Sequence, residues 1–304
     1  AKSVAYIILA SILFGTVSFW VSLAYAQGLT SFDILFWRFF FALIILAVII
    51  KIKKIPLDVN KKQLALLFLL GAIGYTLMNS TMFVSYQYIP IGLATTIHFA
   101  YPIVVTIMVY FLYGDKLNNL GLAALSLATL GIFLLSINDL SADSLLGILL
   151  AFLSAIFFSF YVVYTVHPIL QDMSIWKILF YVSLTTTILI LIVQLMTGTH
   201  PLANWDGTGI FFCIILAVAC TVIALSLFTI GIQNIGASAA CILATLEPIT
   251  STLLGTIFLK DQLTPLIIIG CLLIISAVIV ITLAQSQNTQ ENAKKQQARS
   301  SHQQ

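Results

Sequence analysis

The sequence predicts an all-α membrane protein, with ten transmembrane helices laid out as two inverted five-helix repeats. Three observations carry this. Hydrophobic residues make up 61% of the 304 residues and charged ones only 8%, far below the roughly 25% charged residues of soluble domains. A soluble globule could not cover so much apolar surface with so few charges. The apolar residues fall in runs of about twenty, the length that crosses a bilayer core. Finally, the stretch Tyr86–Leu117, YQYIPIGLATTIHFAYPIVVTIMVYFLYGDKL, returns in altered wording over Ile232–Leu263 as IQNIGASAACILATLEPITSTLLGTIFLKDQL. Superposed without a gap, Ala94 meets Ala240, Tyr101 meets Glu247, Pro102 meets Pro248, Asp115 meets Asp261 and Leu117 meets Leu263.

Spans are expected near 3–25, 32–51, 63–86, 91–113, 117–137, 145–166, 176–197, 208–231, 235–259 and 263–284. The first run, Val4–Tyr25, is long enough to span and lacks a small-residue cleavage site, so it reads as a helix of the bundle rather than a signal peptide. The second span carries Asp33 and Arg38 and ends on lysines. In the third, Tyr75, Asn79, Met82 and Tyr86 recur on one helical face. The fourth brings His98 and Tyr101 one turn apart, beside Pro102. The sixth repeats the first: Ser11 pairs with Ser154, Phe14 with Phe157 and Thr16 with Ser159. The ninth holds Glu247 and Pro248 in its middle. Residues 1–139 form the first five-helix repeat, 140–285 the second, and 286–304 a polar, low-complexity cytoplasmic tail expected to be disordered.

Positive charge sets the orientation. Lys2, Lys51, Lys53, Lys54, Lys61, Lys62, Lys116, Lys177, Lys294, Lys295 and Arg299 all fall on one side of the ten-span layout. The other side has Lys260 with Asp33, Asp139, Asp143 and Asp206. Lysine-rich loops stay in the cytoplasm, so both termini are expected there, in a multi-pass protein of the cell (plasma or inner) membrane. Five spans is an odd number, so the second repeat enters the bilayer upside down. Inverted repeats related by an axis in the membrane plane are characteristic of secondary transporters, with the substrate site near the midplane where the repeats meet.

On these residues the chain resembles the EamA-type family of the drug/metabolite transporter superfamily. The resemblance runs over essentially 4–284 and rests on FGTVSFWVSLAYAQGLTSFDILFWRFFFA in the first two spans and on the two duplicated stretches quoted above. The arginine of the second span, both prolines and both acidic turns are in register, with Asp115 and Asp261 standing where the family usually has glutamate. The resemblance implies a ten-helix bundle that moves small organic solutes, often outward.

If the repeats face each other, His98, Tyr101 and Glu247 converge at mid-depth. The faces bearing Phe14 and Ser18, Tyr75, Asn79 and Met82, and Phe157, Tyr161 and Tyr164 surround them. Aromatic walls with a few polar anchors suit a small-molecule site. Glu247 is the sharpest candidate. An acidic group at the midplane costs about 2.5–3.5 kcal/mol on insertion scales, so it belongs in the interior, as a substrate or coupling-proton site or as a structural hydrogen-bond partner. Arg38 either snorkels, pairs with Asp33, or serves an outer gate or a substrate carboxylate. Pro102 and Pro248 each remove a backbone donor and loosen their helices at a gate or structural position. Against these stand bland readings. Tyr86, Tyr88, Tyr110 and Tyr113 lie near span ends, where tyrosines anchor at the interface. Thr250, Ser251 and Thr252, like the run Gly236-Ala237-Ser238-Ala239-Ala240, favour close helix approach.

Other chemistry has no support. The sequence has no P-loop, no G-x-S-x-G nucleophile context and no H-E-x-x-H. His98, His167, His200 and His302 are scattered, and Cys213, Cys220, Cys241 and Cys271 lie inside apolar runs as small packing residues. No enzyme activity, cofactor, metal or nucleic-acid partner is expected. The partners are a small-molecule substrate and the lipid bilayer, with monomer and homodimer both open. The expected function is export of small organic metabolites, amino acids or drug-like amphiphiles, by alternating access with proton exchange at Glu247. The alternatives are an uncoupled facilitator of the same fold and an intramembrane enzyme or lipid-handling protein.

Overall fold

The computed structural model describes residues 2–89, 91–114, 119–136, 145–198, 207–259, 264–266 and 268–280. The expectations attached to Asp115, Lys116, Leu117, Asp139, Asp143, His200, Asp206, Lys260, Asp261, Leu263 and the tail at 286–304 lie outside the described residues. Among the described residues every regular element is helical.

The chain runs through α1 (Lys2–Gly15), α2 (Val17–Ala26), α3 (Ser31–Lys53) and α4 (Lys61–Leu69). A π-helical segment, Leu70–Leu77, leads into α5 (Met78–Ser85). Then come α6 (Ile91–His98), α7 (Tyr101–Tyr113), α8 (Asn119–Ser136), α9 (Leu145–Thr165), α10 (Ile175–Met196) and α11 (Gly207–Ile215). A second π-helical segment, Leu216–Ile223, precedes α12 (Ala224–Ile235), α13 (Ala237–Ala244) and α14 (Leu246–Leu254). The last described helix is α15 (Ile268–Val280). Joined end to end, these give seven helices long and apolar enough to cross a membrane: Lys2–Ala26, Ser31–Lys53, Lys61–Ser85, Leu145–Thr165, Ile175–Met196, Gly207–Ile235 and Ala237–Phe258. Three shorter apolar helices, Tyr101–Leu112, Asn119–Gly131 and Ile268–Val280, fall in the remaining expected stretches. The chain is thus an all-helical, multi-pass membrane protein.

Local chemistry sets the element ends. Thr30 and Asn60 open α3 and α4 with capping boxes: each side chain accepts the N3 backbone N–H, and Asp33 or Gln63 bonds back to the cap's own N–H. Lys54 closes α3 in the left-handed conformation. The interruptions within the fourth and ninth expected spans follow from proline. Pro102 and Pro248 have no N–H to give to the carbonyl four residues back, and those carbonyls belong to His98 and Ala244, the last residues of α6 and α13.

Of three π-helical segments among the described residues, the third being Gly255–Leu259, these two recur at the same offset that pairs Pro102 with Pro248. A π turn leaves carbonyls without their usual i+4 donors, and threonine hydroxyls bond some of these. Thr76 donates to the Gly71 carbonyl at 2.9 Å, and Thr221 to the Leu216 carbonyl at 3.2 Å. Gly74 lets the first segment lie directly on α9. A Cβ there would stand 2.7 Å from the Tyr161 Cβ.

The packing pairs α1 with α12, α13 and α14, while α9 packs on α5, α6, α7 and the first π segment. α3 packs on α10 and the second π segment, and α10 on the first. α7 meets α13. The core lies between these helices and is rich in small residues, with Ala10, Ala42, Ala151, Ala155, Ala224, Ala240 and Cys241 fully buried. That is the composition that lets membrane helices approach closely. Large apolar side chains such as Ile44, Phe68, Phe111, Phe133, Leu149, Ile192, Phe211 and Phe258 face outward, as a lipid-contacting surface requires.

Candidate functional site

A cavity with about 760 Å³ of empty space, mouth included, lies where α1, α2, α3, α5, α6, α9 and α14 come together. It extends from mid-depth towards the end of the bundle that carries Ala26, Ser31, Ser85 and Ile91. Phe14, Tyr75, Phe83, Tyr86 and Phe158 give it aromatic walls, and Met78 and Met82 add adaptable, polarisable surface. The polar groups are Ser18, Asn79, Thr95, His98 and Ser251, and the two ionisable groups of opposite sign are Arg38 and Glu247.

Of the residues expected at the site, Phe14, Ser18, Arg38, Tyr75, Asn79, Met82, His98 and Glu247 line the cavity. Tyr101, Phe157, Tyr161 and Tyr164 are not among its lining residues. Tyr101 and Tyr161 are fully buried behind it: Tyr101 packs edge-on against Phe158 at 4.9 Å, and Tyr161 against Tyr75 at 4.8 Å. Phe157 packs against the core, its neighbour Phe158 taking the cavity position. Tyr164 stacks with Phe160 and His167 towards the far end of α9. Pro102 and Pro248 are buried at the helix breaks. Several cavity residues escaped the sequence reading. They are Met78, Phe83, Thr95, Phe158 and Ser251, while Tyr86, read from sequence both on the face with Tyr75, Asn79 and Met82 and as an interface anchor, lines the cavity. Tyr88 and Tyr110 are exposed.

The polar anchors are held differently. His98 Nδ1 lies 2.8 Å from the Ser154 hydroxyl, and its ring packs on Tyr101 and Phe158, each at 5.6 Å. Ser154 in turn lies 2.6 Å from the Ala151 carbonyl. When the single hydroxyl hydrogen goes to that carbonyl, His98 must donate from Nδ1, and its Nε2 becomes an acceptor. Asn79 donates to the Tyr75 carbonyl at 2.8 Å, and Ser18 and Ser251 share a hydrogen bond of 2.8 Å across α2 and α14. Arg38 donates from Nε to the Thr221 hydroxyl at 2.8 Å, reaching from α3 to the second π segment. Asp33, offered by sequence as a partner for Arg38, accepts from Thr30 and, at 2.9 Å, from Gln194 of α10.

Glu247 is the exception. Among the described residues no group is hydrogen-bonded to its carboxylate, and Glu247 lines the same cavity as Arg38. It reaches this place because α14 crosses α1 at Gly15, where a Cβ would stand 2.5 Å from the Thr250 Cβ and 2.7 Å from the Glu247 carbonyl oxygen. Behind the cavity, rings and one hydrogen bond join α1, α9 and α12. Phe158 stacks on Phe228 at 6.1 Å, Phe14 meets Phe228 edge-on at 5.9 Å, and the Tyr161 hydroxyl bonds Thr229 at 3.2 Å. Among the described residues no group of three histidine, cysteine or acidic side chains is placed to hold a metal ion.

The sequence profile of the EamA-like transporter family matches residues 1–137 and 145–283. The chain belongs to the EamA-like transporter family. Two relatives of this EamA-like chain are named as transporters without further detail. Uncharacterized transporter sll1319 of Synechocystis sp. is 25% identical over 70% of this chain and 66% of its own length, slightly under two thirds. Uncharacterized transporter YvbV of Bacillus subtilis is 26% identical over 72% of each. One solved crystal structure shares the fold of this EamA-like protein, with a TM-score of 0.79 at 17% identity, over 94% of this chain and 98% of its own. The transporter family and the multi-pass helical architecture agree with the sequence reading.

Proposed function

We propose that this EamA-like protein is a secondary transporter of small organic metabolites, amino acids or drug-like amphiphiles, working by alternating access through the cavity described above. The observation that carries the reading is one aromatic-walled cavity lined by both Arg38 and Glu247, whose carboxylate has no hydrogen-bond partner among the described residues. Isolated charge at membrane depth is costly and is kept where a solute, ion or water can meet it.

The ten-helix, two-repeat organisation (residues 1–139 and 140–285) is part of this proposal. It is supported by the recurrence of the π segments and proline breaks at one offset. Exchanging the proposed repeats also turns the packing of α1 on α12–α14 into that of α9 on α5–α7, and α3 with α10 maps onto itself. The two stretches matched by the family profile divide at the same place. In this scheme the repeats would close alternately on either side of the cavity, and the Tyr161–Thr229 bond with the Phe14–Phe228–Phe158 stack would form the shut side.

The orientation with cytoplasmic termini in the cell membrane rests on the lysine distribution. Packing adds support: Lys53 lies over the Trp176 ring, and Lys177 bonds the Asp58 carbonyl, which brings the end of α3 and the start of α10 to one face. With that orientation the cavity belongs to the outer half. Export rather than uptake follows the family resemblance. Glu247 supplies the coupling, because its carboxylate can be neutralised by a proton or by a substrate cation but not by both.

The test uses purified protein in liposomes. Counterflow of a bound solute should accelerate under an imposed pH gradient, and Glu247→Gln should remove that acceleration. Equal flux of both proteins under every gradient would leave an uncoupled facilitator. Conversion of a lipid without any solute exchange would point to the enzymatic alternative.

A further inference from the structure

We propose, building on the transport reading, that this cavity selects zwitterions. Arg38, oriented by Thr221, anchors a substrate carboxylate, and Glu247 anchors the ammonium group of the same molecule.

The argument begins with the second π segment. Thr221 gives its hydroxyl hydrogen to the Leu216 carbonyl, five residues back, at 3.2 Å. That commitment leaves its oxygen as an acceptor, and the Arg38 Nε–H takes it at 2.8 Å. The guanidinium is planar and rigid, so one bond at Nε fixes the plane and occupies one edge. The remaining edge, formed by the two terminal amino groups, has no hydrogen-bond partner among the described residues and belongs to a side chain that lines the cavity. Two parallel N–H donors on such an edge match the two oxygens of a carboxylate. Arg38 is only 5% exposed, so an unmet cation here is poorly solvated and an arriving carboxylate is correspondingly favoured.

Glu247 supplies the opposite requirement in the same space. The two side chains line the same cavity and share no hydrogen bond or ion pair. A molecule with a single positive charge would satisfy Glu247 and leave Arg38 unmet, and a single negative charge would do the reverse. A zwitterion meets both at once, while Phe14, Met78, Met82 and Phe83 receive its apolar part. Thr221 touches none of this directly. It is a positioning residue, acting through the guanidinium plane.

The experiment measures ligand-induced thermal stabilisation and equilibrium binding of the purified full-length protein. The probes form two matched sets on the same carbon skeletons: L-leucine, 3-methylbutylamine and 4-methylpentanoate, and L-phenylalanine, 2-phenylethylamine and 3-phenylpropionate. At least one zwitterion should bind tenfold or more tightly than both of its singly charged analogues. Thr221→Val keeps the side-chain shape and removes the hydroxyl. It should weaken the zwitterion about tenfold and leave the amine unchanged, whereas Thr221→Ser should restore wild-type selectivity. A parallel loss for every probe would assign Thr221 to packing and overturn the positioning role. Amine binding equal to the zwitterion's, or no zwitterion binding in either set, overturns the selectivity, and both readings come from the wild-type protein even if Thr221→Val does not fold. Failure of the transport reading looks different: a zwitterion that binds with the expected selectivity yet never exchanges across a proteoliposome membrane.

Discussion

The broken helices α6–α7 and α13–α14 share a backbone design and differ in chemistry. Each is interrupted four residues before its proline, and each lies against one long helix, α9 in one case and α1 in the other. At the contact, α9 presents Phe158 to Tyr101 and His98, which fills the space with rings. α1 presents Gly15, the residue matched to Phe158, and the Glu247 backbone comes directly against it. The same bend therefore holds a bonded, ring-packed histidine on one side and, on the other, a carboxylate without a hydrogen-bond partner among the described residues. Under the proposed duplication, divergence at a handful of positions would have made one copy a wall and the other an ionisable anchor.

The largest effect is expected where the two helix contacts differ in bulk. Gly15→Leu introduces a Cβ 2.5 Å from the Thr250 Cβ on a helix backbone that cannot move aside cheaply. Overpacking of this kind typically costs about 1–3 kcal/mol and here should reach or exceed the upper end, since α14 must shift as a unit. The loss should show as a lowered midpoint of thermal unfolding in detergent and as loss of solute flux. A protein of unchanged stability would mean that α1 and α14 do not cross at Gly15.

A smaller, sharper contrast compares the matched serines. Ser154→Ala removes the Nδ1 partner of half-buried His98 and should cost about 1–3 kcal/mol, the penalty for a stranded polar group. Ser11→Ala removes only a bond to the Ile7 carbonyl within its own helix and should change the midpoint much less. Equal effects would show that His98 does not depend on Ser154. The smallest change is expected for Tyr161→Phe, which deletes the bond to Thr229 and keeps the ring contacts with Tyr75 and Phe158. Interhelical bonds of this type average about 0.6 kcal/mol in membrane proteins. Stability should barely move, while the exchange rate in liposomes should rise if that bond helps hold the shut side.

Much of this was legible in the residues alone. The bilayer fixes how long an apolar run must be, so composition and spacing disclosed a multi-pass helical protein. Proline lacks one donor wherever it occurs, so Pro102 and Pro248 marked where the backbone would give way. An acid in the middle of an apolar run must turn inward, which singled out Glu247. Only the tertiary structure decided which rings face the cavity: Tyr86 and Phe158 do, while Tyr101, Phe157, Tyr161 and Tyr164 pack elsewhere. It alone joined Arg38 to Thr221 across the chain instead of to nearby Asp33. The physical reason is that lipid and protein interior are equally apolar. Hydrophobic periodicity, which tells inside from outside in a soluble helix, carries no such information for a helix bathed in hydrocarbon, and the direction of each side chain is set by its neighbours' shapes.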